Sequence, residues 1–252
     1  MKRILSGFLM ALSTYSIIPV PISVWRDDVW PIMAAFLPAV GAVTGAIWLL
    51  IAYLLTKFGV PSMIAAVVLC LYPHIITGFF HLDGYMDCAD AVLSRRDLET
   101  RRRILKDSHV GAFAVISLAV LLLVTFAFWG EMRENVTLLP LLFAPIACRC
   151  VSAYSVTMLR PLSTSQYSDT QKSDTKIHCA AAVICEFFLA AAFAAIFGVL
   201  AEMMIPAAVS VIAVFLLTRS FQGMSGDIAG GAVTIGEAAA AITVSISSLI
   251  AR

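Results

Sequence analysis

Seven stretches of about 20 mostly apolar residues constrain this chain more than any other feature: 31–56, 61–80, 110–129, 136–158, 178–200, 205–221 and 232–250. A helix needs about that length to cross a bilayer core. Runs such as Ile116 to Phe128 do not alternate apolar with polar residues, so a strand-built barrel is excluded. With 61% hydrophobic and 13% charged residues, a water-soluble globule would expose far too much apolar surface, and disorder requires the opposite composition. The expected fold is all-α: a polytopic membrane helical bundle of about seven transmembrane helices, forming one integral membrane domain over residues 1–252.

The N-terminus is a further element. Lys2 and Arg3 precede an apolar run to Ser16, as in a signal peptide. No small-residue cleavage site follows, however, and the chain continues through Pro19-Val20-Pro21 and Trp25-Arg26-Asp27-Asp28. An interfacial or re-entrant helix ended by a proline turn fits better. The cysteines Cys70, Cys88, Cys148, Cys150, Cys179 and Cys185 form no CxxC pair, and Cys148-x-Cys150 is too tight for zinc; they are expected to be reduced and buried.

Charge placement gives the sidedness. Placing 81–109 in the cytoplasm also puts the N-terminus, 159–177 and 219–231 there, and with them thirteen of the 17 Lys and Arg residues. Only Lys57, Arg133 and Arg252 fall on the other side, and Arg149 lies within a span. This asymmetry satisfies the positive-inside rule and gathers the polar loops on one membrane face.

The densest of those loops reads His81-Leu82-Asp83-Gly84-Tyr85-Met86-Asp87-Cys88-Ala89-Asp90. On a helix, Asp83, Asp87 and Asp90 point within about 60° of one another. Like charges at that spacing destabilise a helix unless a cation answers them. Oxygen-only donors favour a hard ion such as Mg²⁺, which keeps waters and takes substrate phosphates. A solvated acidic face, or the carboxylates of a secondary transporter, would also give acids here. Six neighbouring cations argue instead for an anionic ligand meeting metal and arginines together. His81 adjoins the stripe.

Two more polar islands share this side. Lys106-Asp107-Ser108-His109-Val110-Gly111 offers Asp107 as a further metal ligand and Lys106 as a phosphate contact, although such a segment is also an ordinary helix start. Most of Arg101-Arg102-Arg103 is expected to meet anionic lipid head groups. Gln222-Gly223-Met224-Ser225-Gly226-Asp227 is a glycine-rich loop whose N–H groups could cradle phosphate, with an aspartate in its middle. Within the spans, Glu237 is an expensive carboxylate for which Arg149 is the expected partner, and Glu186 belongs to no motif.

At these islands the sequence resembles the cobalamin synthase family, the adenosylcobinamide-GDP ribazoletransferases. The resemblance rests on His81-Leu82-Asp83-Gly84-x-x-Asp87-x-x-Asp90, on Lys106-Asp107-Ser108-x-x-Gly111 and on Gly223-x-Ser225-Gly226-Asp227 with Glu237 following. Gly7-Phe8 through Pro21 and Phe36-x-Pro38-x-x-Gly41 are similar to the family's opening, so the likeness runs along nearly the whole chain. Here Asp90 is followed by Ala91 where the family usually has glycine, Ser225 stands where threonine is common, and Arg160-Pro161 leads into a stretch without the usual glycines.

The resemblance implies a multi-pass enzyme of the bacterial inner membrane, with active loops in the cytoplasm. It implies a Mg²⁺-dependent transfer joining adenosylcobinamide-GDP to α-ribazole, or its 5′-phosphate, with release of GMP and no nucleic-acid partner. On that reading Asp83, Asp87, Asp90, Asp107 and Asp227 hold metal, and Asp90 or His81 is the base. Arg95, Arg96, Lys106, Ser108, Gly223, Ser225 and Gly226 contact substrate. The acidic helix is also similar to CDP-alcohol phosphotransferases, but Met86-Asp87-Cys88 stands where those carry Ala-Arg. A transporter is the third reading, disfavoured because its carboxylates belong near the bilayer midplane.

Overall fold

The structure is a computed structural model and describes residues 2–20, 29–132, 137–162 and 175–250. Among these, the elements are α1 (Lys2–Tyr15), α2 (Trp30–Ala35), α3 (Leu37–Lys57), α4 (Ser62–Ile76), α5 (Phe80–Leu93), α6 (Leu98–Ile104), α7 (Ala112–Gly130), α8 (Pro140–Met158), α9 (Lys176–Ile196), α10 (Leu200–Phe221) and α11 (Gly226–Ile250). There is no strand among the described residues, only one isolated parallel bridge between Pro161 and Met224. Six helical segments are long and apolar enough to cross a membrane: Ile32–Lys57 and α7 to α11. The chain is an all-α multi-pass bundle. Trp25 to Asp28, Arg133, Lys172 and most of the 159–177 loop lie outside the described residues.

The bundle is organised around α8, which is lined almost throughout by buried residues and packs on α3, α9, α10 and α11. Small residues permit the closest approach: a methyl group on Gly41 or Gly45 would stand 2.7–2.8 Å from the carbonyls of Pro145 or Leu142. Membrane helices associate through such contacts because lipid offers no hydrophobic drive between them. The outward faces of α7, α9 and α10 carry Val120, Leu123, Phe188, Phe193, Phe215 and Leu216, all exposed as lipid-facing side chains should be. Five of the six cysteines are free and buried, as expected, whereas Cys185 is exposed.

One expected span is bent rather than straight. The 61–80 stretch forms α4 only as far as Ile76, and α5 then leaves at 91°. The stop is local. Gly78 takes a left-handed conformation (φ 59°), its N–H donates to Ile75 O, and the Phe79 N–H donates to His74 O. This pattern closes a helix C-terminus. Phe79 is itself left-handed, at φ 64°, a conformation costing about 1 kcal/mol or more without glycine. The acidic motif therefore follows a 91° bend rather than a straight helix. It lies on α5, outside the six spanning segments, at the end of the bundle where α10 hands over to α11.

Candidate active site

Three helices meet over the acidic motif. Gly84 of α5 sits against α11 so tightly that a Cβ there would lie 2.7 Å from Asp227 O and 2.8 Å from its Cα. Further along, Gly230 faces His81 and Gly231 faces Tyr85. The Gly in the His-Leu-Asp-Gly motif thus lets two chain segments, 143 positions apart in sequence, bring Asp83, Asp87 and Asp227 to one seam. From the other side α7 docks through Tyr85, whose hydroxyl donates to Ser117 O at 3.1 Å.

The carboxylates feel one another. Asp87 is half-buried, and its carboxyl is pushed up to about 7, first by burial and then by the charges of Asp83, Asp227 and Asp90. Among the described residues no Lys or Arg is ion-paired with any of the four. Nor do any three His, Cys, Asp or Glu side chains among them converge tightly enough to hold a metal as they stand. The donor chemistry nevertheless fits a hard divalent cation: oxygen only, mutually repelling, and without a protein counter-charge.

The remaining sequence candidates divide by place. Asp90 turns its carboxylate onto the start of α7, accepting the Ala114 N–H at 3.3 Å, and Gly111 is glycine because a Cβ there would fall 2.1 Å from that carboxylate. Asp107 is exposed and held by His109, accepting its N–H at 3.0 Å and contacting Nδ1 at 2.7 Å; these bonds keep its carboxyl below the usual range. Its charge is not among those acting on Asp87, so Asp107 is not brought into the cluster. Arg95, Arg96, Lys106 and Ser108 are exposed on the same rim. His81 points into the bundle rather than along the stripe: 4% exposed, its ring lies over Tyr15 at 6.0 Å and neither ring nitrogen has a partner among the described residues.

In the glycine loop, several backbone groups already have partners. Gly223 N–H donates to Thr218 O, and Met224 exchanges hydrogen bonds with Arg160 and Leu162. Ser225 caps α11, its hydroxyl accepting the Ile228 N–H at 3.3 Å and donating to Asp227 Oδ2 at 3.3 Å. A serine cap followed by an acid in the first turn is the ordinary way to start a helix, and here it also fixes the rotamer of Asp227. Sequence reasoning missed Arg102. Its Nε donates to Phe221 O at 2.9 Å and its Nη2 to Gln222 O at 3.3 Å, covering the end of α10 where Gln222 is left-handed (φ 54°). The contact spans about 120 positions, and nothing in an Arg-Arg-Arg run marks its middle member for that role.

The family model for cobalamin-5-phosphate synthase matches residues 7–245. The chain belongs to that family. Among curated relatives, an adenosylcobinamide-GDP ribazoletransferase of Clostridium perfringens (strain ATCC 13124) is 37% identical over 91% of this chain and 93% of its own length. One from Clostridium botulinum (strain Alaska E43) is 34% identical over 94% of this chain and 96% of its own. One from Geobacillus sp. (strain WCH70) is 29% identical over 92% and 91%. Family membership places the chain among enzymes. No solved structure matches it.

Proposed function

We propose that this cobalamin-5-phosphate synthase family member joins adenosylcobinamide-GDP to α-ribazole or its 5′-phosphate, releasing GMP, with Mg²⁺ at the α5–α11 seam. The observation that carries the reading is that seam: Gly84 against Asp227 sets carboxylates from two distant motifs side by side, and no basic side chain among the described residues neutralises them. Family and relatives supply the substrates, and the thirteen-to-three charge asymmetry supports an inner-membrane protein with its active rim in the cytoplasm.

Asp83, Asp87 and Asp227 would hold the metal, which when bound supplies positive charge to the diphosphate oxygens. The ribazole hydroxyl oxygen forms a new bond to the phosphorus on the corrinoid side, and the P–O bond to the guanosine phosphate breaks. GMP departs with the bridging oxygen. The hydroxyl proton passes to Asp90, whose carboxylate is held in one orientation by the Ala114 N–H. His81, sealed beneath Tyr15, is a packing group in this scheme. Such transfer is mostly positioning plus charge neutralisation.

The test uses full-length protein in nanodiscs supplied with adenosylcobinamide-GDP, Mg²⁺ and, in separate reactions, α-ribazole or its 5′-phosphate. GMP release that stops on chelation and returns with Mg²⁺ is the expected result. Equal release in excess EDTA would remove the metal from the reaction, and no release with either acceptor would remove the substrates.

A further inference from the structure

Helix α6 has two unlike faces. Ile104 and Leu105 pack into the apolar cluster that also holds Cys88 and Ala91 of α5, Met224, and Ile228 of α11. The helix is therefore anchored on the very seam that carries the acids. Opposite, Glu99, Arg102, Arg103, Lys106 and Asp107 line an open groove of about 460 Å³, within the ~300–1,000 Å³ typical of small-molecule sites. Asp97 fixes the helix start by accepting the Thr100 N–H at 2.9 Å, and Arg102 ties the face to the turn that precedes Asp227.

We infer that this groove binds the phosphate of the nucleotide half of the donor, the group that leaves as GMP, through Arg103 and Lys106 with Arg102 fixing its position. This inference rests on the proposed reaction and adds the place of the leaving group. Phosphate is the shared chemistry of GMP and of an anionic lipid head group. The groove favours the former in two ways. Lipid surfaces are met by clusters of Lys and Arg, whereas here Glu99 and Asp107 stand among the cations, and Glu99 is suited to accept hydrogen bonds from ribose hydroxyls or from the guanine N–H edge. A cationic face rooted in the α5–α11 seam also keeps a fixed relation to the carboxylates, which a leaving group requires and a lipid does not.

The experiment compares wild type with the double variant R103Q/K106Q and with K57Q, a charge lost at the far end of α3. Each is placed in nanodiscs of phosphatidylcholine alone and of phosphatidylcholine with phosphatidylglycerol. Binding of a fluorescent GMP analogue and inhibition of turnover by GMP are both measured. In either lipid, R103Q/K106Q should weaken GMP by about tenfold or more, as expected for lost charge-assisted contacts. The donor KM should rise in parallel and the ribazole KM should stay level; K57Q should change neither. Unchanged GMP affinity in R103Q/K106Q overturns the inference. So does a difference seen only with phosphatidylglycerol, which would assign the groove to lipid. GMP binding that is lost in the variant, in a protein showing no transfer to ribazole, would keep the groove and refute the proposed reaction instead.

Discussion

Helix α11 carries two acids ten residues apart, about 15 Å along its axis, and they have opposite surroundings. Glu237 is buried and paired, its Oε1 accepting from Arg149 Nη1 at 2.5 Å, while Arg149 also donates to Pro145 O. Asp227 faces the α5 seam among other carboxylates, where the Ser225 hydroxyl and its own backbone N–H donate to it but, among the described residues, no cation pairs with it. A charge in a membrane protein must be answered. Where the protein supplies the answer, the charge is architecture; where it supplies more of the same sign, the charge is waiting for a ligand.

The largest effect should come from Asp87, on which burial and three neighbouring carboxylates act. D87N is expected to lower GMP release by about 10³-fold, the scale of losing one preorganised electrostatic group. Its thermal unfolding should be no worse than wild type, because a repelling charge has gone. Full activity in D87N would show the unanswered acids to be a solvated face after all. E237A should do the reverse. An Arg149 left buried and alone is expected to lower stability by about 3–5 kcal/mol, whereas the matched apolar replacement R149M/E237L recovers most of it. If E237A unfolds at the wild-type temperature but fails in catalysis, the contrast between the two acids is lost.

A smaller effect should come from the packing that makes the seam. In G84A the new methyl meets Asp227 backbone at 2.7–2.8 Å, so α5 and α11 must part. Overpacking of this kind costs about 1–3 kcal/mol. Because the metal ligands come from both helices, the Mg²⁺ concentration for half-maximal activity should rise more than the melting temperature falls. A drop in melting temperature alone would make Gly84 a packing residue with no part in metal binding.

Much of this was legible in sequence because apolar length and like-charge spacing are local properties. Six of the seven expected spans correspond to membrane-length helices, and Arg149 with Glu237 was foreseen because neither charge could stay buried alone. The bend in the 61–80 stretch was hidden because its apolar run continues past Ile76. Only the left-handed pair Gly78-Phe79 ends the helix, and a phenylalanine does not advertise that conformation. Within the site, spacing placed Asp83 and Asp87 on one face but could not separate Asp90, which the start of α7 engages, from the others. It equally could not see that His81, two residues before Asp83, faces the opposite way, toward Tyr15.

The smallest and most diagnostic effect concerns pH. Asp87 takes a proton at about 7 in the folded protein against an ordinary value of 3.8. Between those values the folded chain binds the proton and the unfolded chain does not, so this residue's contribution to stability falls as pH rises from about 4 to 7. Asp97 and Asp107, both exposed, act with the opposite sign: Thr100 and His109 hold their carboxyls low, and what they contribute is lost on acidification. Subtracting D87N from wild type isolates the first effect. Without divalent ions, wild type should melt progressively lower than D87N as pH climbs from 5 to 8. Mg²⁺ should close that gap at pH 8 and change little at pH 5, where the proton already occupies the carboxylate. A gap independent of pH, or one that Mg²⁺ leaves open at pH 8, would mean that Asp87 is not among the groups the cation answers.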